Sequence, residues 1–77
     1  MRFNLFALQQ QLELKLGRNV SWAEIAKETG LHYNTVFRLG NNKATVADLE
    51  TLSRLATYFH RHGLAVGVQD LIVMETA

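Results

Sequence analysis

Ser21-Trp22-Ala23-Glu24-Ile25-Ala26-Lys27-Glu28-Thr29-Gly30-Leu31-His32-Tyr33-Asn34-Thr35-Val36-Phe37-Arg38-Leu39-Gly40 is the stretch that decides the fold. Ser21-x-x-Glu24 has the form of a capping box, in which the serine oxygen accepts an orphan amide proton and the glutamate reaches back. It predicts a helix from Ser21 to about Thr29 with Ile25 and Ala26 buried. Gly30 stops that helix, because only glycine takes the left-handed conformation at little cost. A second short helix is predicted from about His32 to Gly40. It ends in Asn41-Asn42, residues that tolerate the left-handed region.

Outward from this pair the pattern stays helical. Leu5, Leu8, Leu12 and Leu16 form one apolar stripe on a helix from about Asn4 to Leu16, closed by Gly17. Thr45-Val46-Ala47-Asp48 offers a further capping signal. After it, Val46, Leu49, Leu52, Ala56 and Phe59 form the stripe of a fourth helix, with His60, Arg61 and His62 at the negative end of its dipole and Gly63 closing it. A short fifth helix is predicted from about Val68 to Ile72, before the apolar Val73-Met74. The expected fold class is all-α: a single five-helix domain spanning residues 1–77.

The chain of 77 residues is 48% hydrophobic and contains no cysteine and no proline. Without cysteine there is no disulfide framework, no thiolate metal site and no cysteine nucleophile. No apolar run is long enough to span a bilayer, and Met1-Arg2-Phe3-Asn4 lacks the apolar region of a secretion signal, so a cytoplasmic location is expected. Net charge is +1, but it is unevenly spread. No acid lies between Glu28 and Asp48, where Arg38 and Lys43 sit. The other six of the eight bases face all seven acids. A locally positive segment on a near-neutral chain is the footprint of a surface that meets phosphate.

The quoted stretch resembles the helix-turn-helix of the phage-repressor and Cro-type family, also called XRE. The spacing has a physical cause: small Ala26 lets two helices approach, Gly30 makes the tight turn, and Val36 plugs the angle between them. Ile25 and Leu39 complete the wedge. The similarity continues into Thr45-Val46-Ala47-Asp48-Leu49-Glu50-Thr51-Leu52 and into Gln69-Asp70-Leu71-Ile72. The sequence departs from the family pattern at Trp22, where a glutamine is common, at His32, where a serine is usual, and at Asn42, where a glycine is usual. It also lacks the customary proline before the fourth helix, and Tyr58 to Val68 is longer than usual. The resemblance implies a lambda-repressor-like bundle whose second and third helices form the helix-turn-helix, and sequence-specific binding of duplex DNA by a small transcriptional regulator that represses by occlusion.

The expected interface follows from helix geometry. At about 100° per residue from Val36, Asn34, Arg38 and Asn41 point away from the core. Tyr33 and Phe37 flank them on one side and Thr35 on the other. Arg38 suits guanine or phosphate, and Asn34 suits adenine. The Tyr33–Phe37 pair suits thymine methyls, sugars or phosphates. Lys43 suits backbone phosphate. His32 either caps the third helix or touches phosphate. Ser21 and Trp22 open a helix N-terminus whose amides suit phosphate, with internal packing the alternative for Trp22.

Other chemistries find no support in these residues. His60 and His62 diverge on a helix, and there is neither a glycine-rich phosphate loop nor a nucleophile with an adjacent base. Neither enzymatic activity nor a cofactor or metal is expected. The chain is too short to add an effector domain, so no small-molecule effector is expected. A protein-interaction module on the same scaffold, antitoxin-like or an assembly partner, is the rival reading. It is favoured by the modest charge and separated from DNA binding by salt dependence. Phe3, Phe6 and Leu14, with the tail Leu71-Ile72-Val73-Met74, suggest a two-fold homodimer. The alternative is that they fold over one another within one chain.

Overall fold

The computed structural model describes residues 2–41, 43 and 47–73. The elements run, in order, β1 (Arg2–Phe3), α1 (Leu5–Leu16), α2 (Trp22–Thr29), α3 (Tyr33–Gly40), α4 (Leu49–Arg61), a 3-10 turn (Val68–Leu71) and β2 (Ile72–Val73). β1 and β2 pair antiparallel, Arg2 opposite Val73 and Phe3 opposite Ile72. No helix among the described residues is long and apolar enough to cross a membrane.

The α1 stripe is buried at Leu5, Leu8 and Leu12, and Leu16 packs at its margin. The same helix clamps the segment that leads into α2. Buried Gln9 donates through Nε2 to the Val20 carbonyl at 2.6 Å, and Glu13 accepts from the Val20 amide at 2.7 Å. With both its backbone groups taken, Val20 enters the core. That fixes the point at which α2 begins.

The α2 cap is half of the expected box. Ser21 Oγ accepts from the Glu24 amide at 3.1 Å, but the Glu24 carboxylate turns to Arg18, which binds it with both terminal nitrogens at 3.0 and 2.9 Å. A bidentate guanidinium–carboxylate pair is the stronger use of that charge. At the other end Gly30 has φ +75°, and its amide and that of Leu31 both close on the Ala26 carbonyl. Arg54 of α4 braces the same turn by donating to the Thr29 carbonyl at 3.0 Å. A Cβ added at Gly30 would sit 3.0 Å from that Arg54 nitrogen. Gly30→Val is therefore expected to cost more than about 1 kcal/mol through left-handed strain. A urea melt checks this, and an unchanged midpoint contradicts it.

Three expectations about α4 and the tail are corrected. The helix is capped by Asp48, whose carboxylate accepts from the Thr51 amide at 2.9 Å. The expected cap at Thr45 and the stripe position Val46 lie outside the described residues. Leu49 is not part of the buried stripe. As the first helical residue it is 69% exposed, and the buried face is Leu52, Leu55, Ala56, Tyr58 and Phe59. The fifth helix is only a 3-10 turn, because four residues between Gly67 and β2 leave no room for an α-helical ladder. Asp70 ties that turn by accepting from the Gly67 amide at 2.8 Å. The all-helical class stands, with four α-helices among the described residues rather than five.

The ends of the chain meet within one molecule. Phe3 and Leu71 enter the core, and the Asn4 amide donates to the Leu71 carbonyl at 2.8 Å, prolonging the β1–β2 ladder. Phe6 and Leu14 stay exposed. The tail position Met74 lies outside the described residues.

Candidate nucleic-acid interface

The wedge that orients α3 is formed as its residue sizes require. Ile25 and Ala26 from α2 and Val36 and Leu39 from α3 are all buried. Burying both faces of the turn makes α2 and α3 one rigid unit, so the outer face of α3 has a fixed direction.

Along that face Tyr33, Asn34 and Arg38 are exposed, while Thr35 and Phe37 are half-buried. The Tyr33 and Phe37 rings stack with centroids 5.7 Å apart and planes 29° apart. Asn41 lies just beyond the helix, and its Nδ2 donates to the Phe37 carbonyl at 2.8 Å. The Lys43 amide bonds the Arg38 carbonyl at 2.9 Å, folding the chain back along α3. Its ammonium then sits 6.0 Å from the centre of the Phe37 ring, within cation–π range. Tyr33, Asn34, Phe37, Arg38, Asn41 and Lys43 are thus brought together. Asn42 lies outside the described residues.

His32 is exposed at the N-cap of α3, where its backbone is extended and its side chain makes no capping bond. Of its two expected roles, capping is not the one adopted. Ser21 is exposed, with its hydroxyl oxygen engaged at the α2 cap. Trp22 is half-buried and packs on the core. Gly40 explains its position: a Cβ there would lie 2.5 to 2.8 Å from three atoms of the indole ring. The glycine at the end of α3 provides space for the tryptophan at the start of α2. Gly40→Ala is expected to destabilise by about 1–3 kcal/mol through overpacking, more than the helix propensity it gains. The loss should shrink when Trp22→Leu is added. A cost of Gly40→Ala that Trp22→Leu leaves unchanged contradicts this.

The charges around the site divide into those already paired and those that are not. Arg18 is bound to Glu24, and Arg54 to Glu50 at 2.9 Å. His62 approaches Glu28 at 3.7 Å. Among the described residues no ion pair involves Arg38 or Lys43. The positive charge on the outer face of α3 and just after it is therefore not spent on an ion pair among the described residues.

Two carboxylates at helix starts make stability depend on pH. The Arg18 hydrogen bond holds Glu24 below its ordinary range, and the hydrogen bonds from Thr51 do the same for Asp48. A depressed carboxylate adds stability that is present above its unfolded pKa and lost as pH falls through the folded one. The melting temperature should fall as pH drops below about 4. Replacing Asp48 by Asn, which caps without titrating, should flatten that fall, and an unaltered profile contradicts it. At the alkaline end, burial and then the negative charges of Glu28 and Glu24 push the Tyr58 hydroxyl up to about 12. Its contribution is full below about 10, the unfolded value, and is lost as pH rises from there through about 12.

Sequence reasoning missed Arg54, Gln9 and Glu13, which position the unit from behind. Each is a long polar side chain reaching a backbone group distant in sequence, and no local pattern reports such a contact.

A stabilised tight turn, a buried wedge and an outward face of amide, aromatic and cationic side chains define a helix-turn-helix. The model of the Cro/C1-type HTH DNA-binding domain matches residues 8–76, and the chain belongs to that family. Neither the curated proteins nor the solved structures provide a match.

Proposed function

We propose that this domain reads specific duplex DNA by laying α3 in the major groove, and that it represses transcription by occluding the site it covers. The observation that carries the reading is the outer face of α3. Asn34 and Arg38 are exposed there, beside Lys43 and in a direction fixed by the buried wedge. An α-helix fits the major groove, where each base pair shows a distinct pattern of donors and acceptors. Arg38 would contact a base, with Asn34 and Thr35 beside it. Lys43, His32 and the amides at the start of α2 near Ser21 and Trp22 would meet phosphates and set the register.

Affinity for duplex DNA over a range of salt tests this. Binding that weakens steeply with salt, and competition that favours a selected sequence over random duplex, are the expected results. No duplex binding even at low salt overturns the reading in favour of a protein-interaction module.

A two-fold pair on a palindromic site would set two α3 helices about 34 Å apart. Phe3 and Leu71 lie in the chain's own core, so of the apolar residues expected to pair, Phe6 and Leu14 of α1 are the exposed ones among the described residues. Light scattering with and without a palindromic duplex tests the pairing. A monomer in both conditions, bound one per duplex, removes it.

A further inference from the structure

Phosphate binding and amide-to-base pairing leave the aromatic pair on α3 without a role. Tyr33 is 47% exposed, and among the described residues it is the one large apolar side chain of α3 so exposed. Phe37 is half-buried beneath it, and the two rings are stacked. They form an apolar ridge that runs alongside the row of exposed Asn34 and Arg38 on the same helix. The ridge is held in place: its rings support one another, Phe37 is half-buried, and the Lys43 ammonium sits over its ring. An ordered apolar ridge on a polar face recovers its exposure cost only against an apolar partner.

We propose that the Tyr33–Phe37 ridge reads the C5-methyl group of thymine, so that the preferred site carries thymine next to the base that Arg38 contacts. The inference rests on the proposal that α3 enters the major groove. The base edges there offer a single apolar group, the thymine methyl. The spacing also suits it. Residues four apart on a helix are separated by about 6 Å along its axis, and base pairs rise by about 3.4 Å, so the two rings span no more than two successive steps. The 5.7 Å between ring centres agrees with that span. Asn34 points to the same base pair type, because a carboxamide pairs with the edge of adenine, whose partner is thymine. Lys43 at the edge of the ridge would take the phosphate flanking the methyl, leaving the rings themselves uncharged and dry.

The test uses the unaltered protein. A duplex is selected from a random pool, and each thymine in it is replaced in turn by deoxyuridine, which differs only by the methyl. At one or two adjacent thymines the affinity should fall about fourfold or more, the value of one buried methyl group. Tyr33→Ser, at an exposed position on the first turn of α3, should bring that thymine-to-uracil ratio towards one while the salt slope stays as it was. If uracil is tolerated at every position while selective binding persists, the inference is overturned and the proposed function survives. A full thymine-to-uracil ratio in Tyr33→Ser overturns the assignment to this pair. If no sequence is enriched from the pool, both proposals fall.

Discussion

Arg38→Ala should weaken binding to the selected duplex by about 1–3 kcal/mol, roughly 5- to 150-fold, and relax the preference at a single base position. Arg38 is exposed on α3, and among the described residues no carboxylate competes for it. The guanidinium is therefore available to pair in bidentate fashion with a guanine edge, through a rigid planar fork that a lysine ammonium lacks. Arg38→Lys should recover the salt dependence but not the base preference. Contact with phosphate instead of a base would weaken all sequences alike and reduce the salt slope by about one. Unchanged affinity for the selected site contradicts both versions. Because Arg38 is on the surface, its removal should leave the melting temperature nearly unaltered, which separates this loss from one of folding.

Phe59→Ala should have the largest effect on stability. Phe59 is fully buried in the core, against Tyr58 at 5.4 Å in an edge-to-face arrangement. Deleting a buried phenyl ring costs about 3–5 kcal/mol through lost burial and the cavity left behind. A chain of this length has only roughly 4–12 kcal/mol in total. The melting temperature should drop by more than about 12 °C, and at the lower end of that stability the domain would not stay folded at 37 °C. α4 supplies Arg54 as the brace on the α2–α3 turn. Loss of its packing should therefore impair DNA binding too, although Phe59 lies nowhere on the outer face of α3. A shift of only a few degrees contradicts this account of the core.

The parts legible in the sequence were those governed by local rules. The Ser21 cap, the left-handed Gly30 and the buried set of Ile25, Ala26, Val36 and Leu39 each follow from a residue type at a short spacing. So does the exposure of Asn34 and Arg38 opposite Val36. What the sequence obscured depends on contacts between distant segments. Leu49 reads as part of an apolar stripe, but Asp48 starts the helix there, and a first-turn side chain lies beyond the core. Phe3 and Leu71 read as surplus apolar residues because the ladder that buries them, Phe3 opposite Ile72 and the Asn4 amide on the Leu71 carbonyl, joins segments distant in sequence. The Glu24 carboxylate reads as half of a capping box until Arg18, outside the motif, takes it. Trp22 was open between phosphate and packing. Its contact with Gly40 shows that it packs, and an isolated glycine at a helix end does not reveal whether it serves the backbone or makes room for a neighbour.

We propose that the outer face of α3 is the surface that meets duplex DNA. The most direct test is a chemical-shift titration of the labelled chain with a duplex selected from a random pool. The largest changes are expected on Tyr33, Asn34, Thr35, Phe37, Arg38, Asn41 and Lys43 and on the amides at the start of α2, with little change at Phe6 and Leu14. Changes centred on Phe6 and Leu14 of α1, with α3 unperturbed, would contradict it.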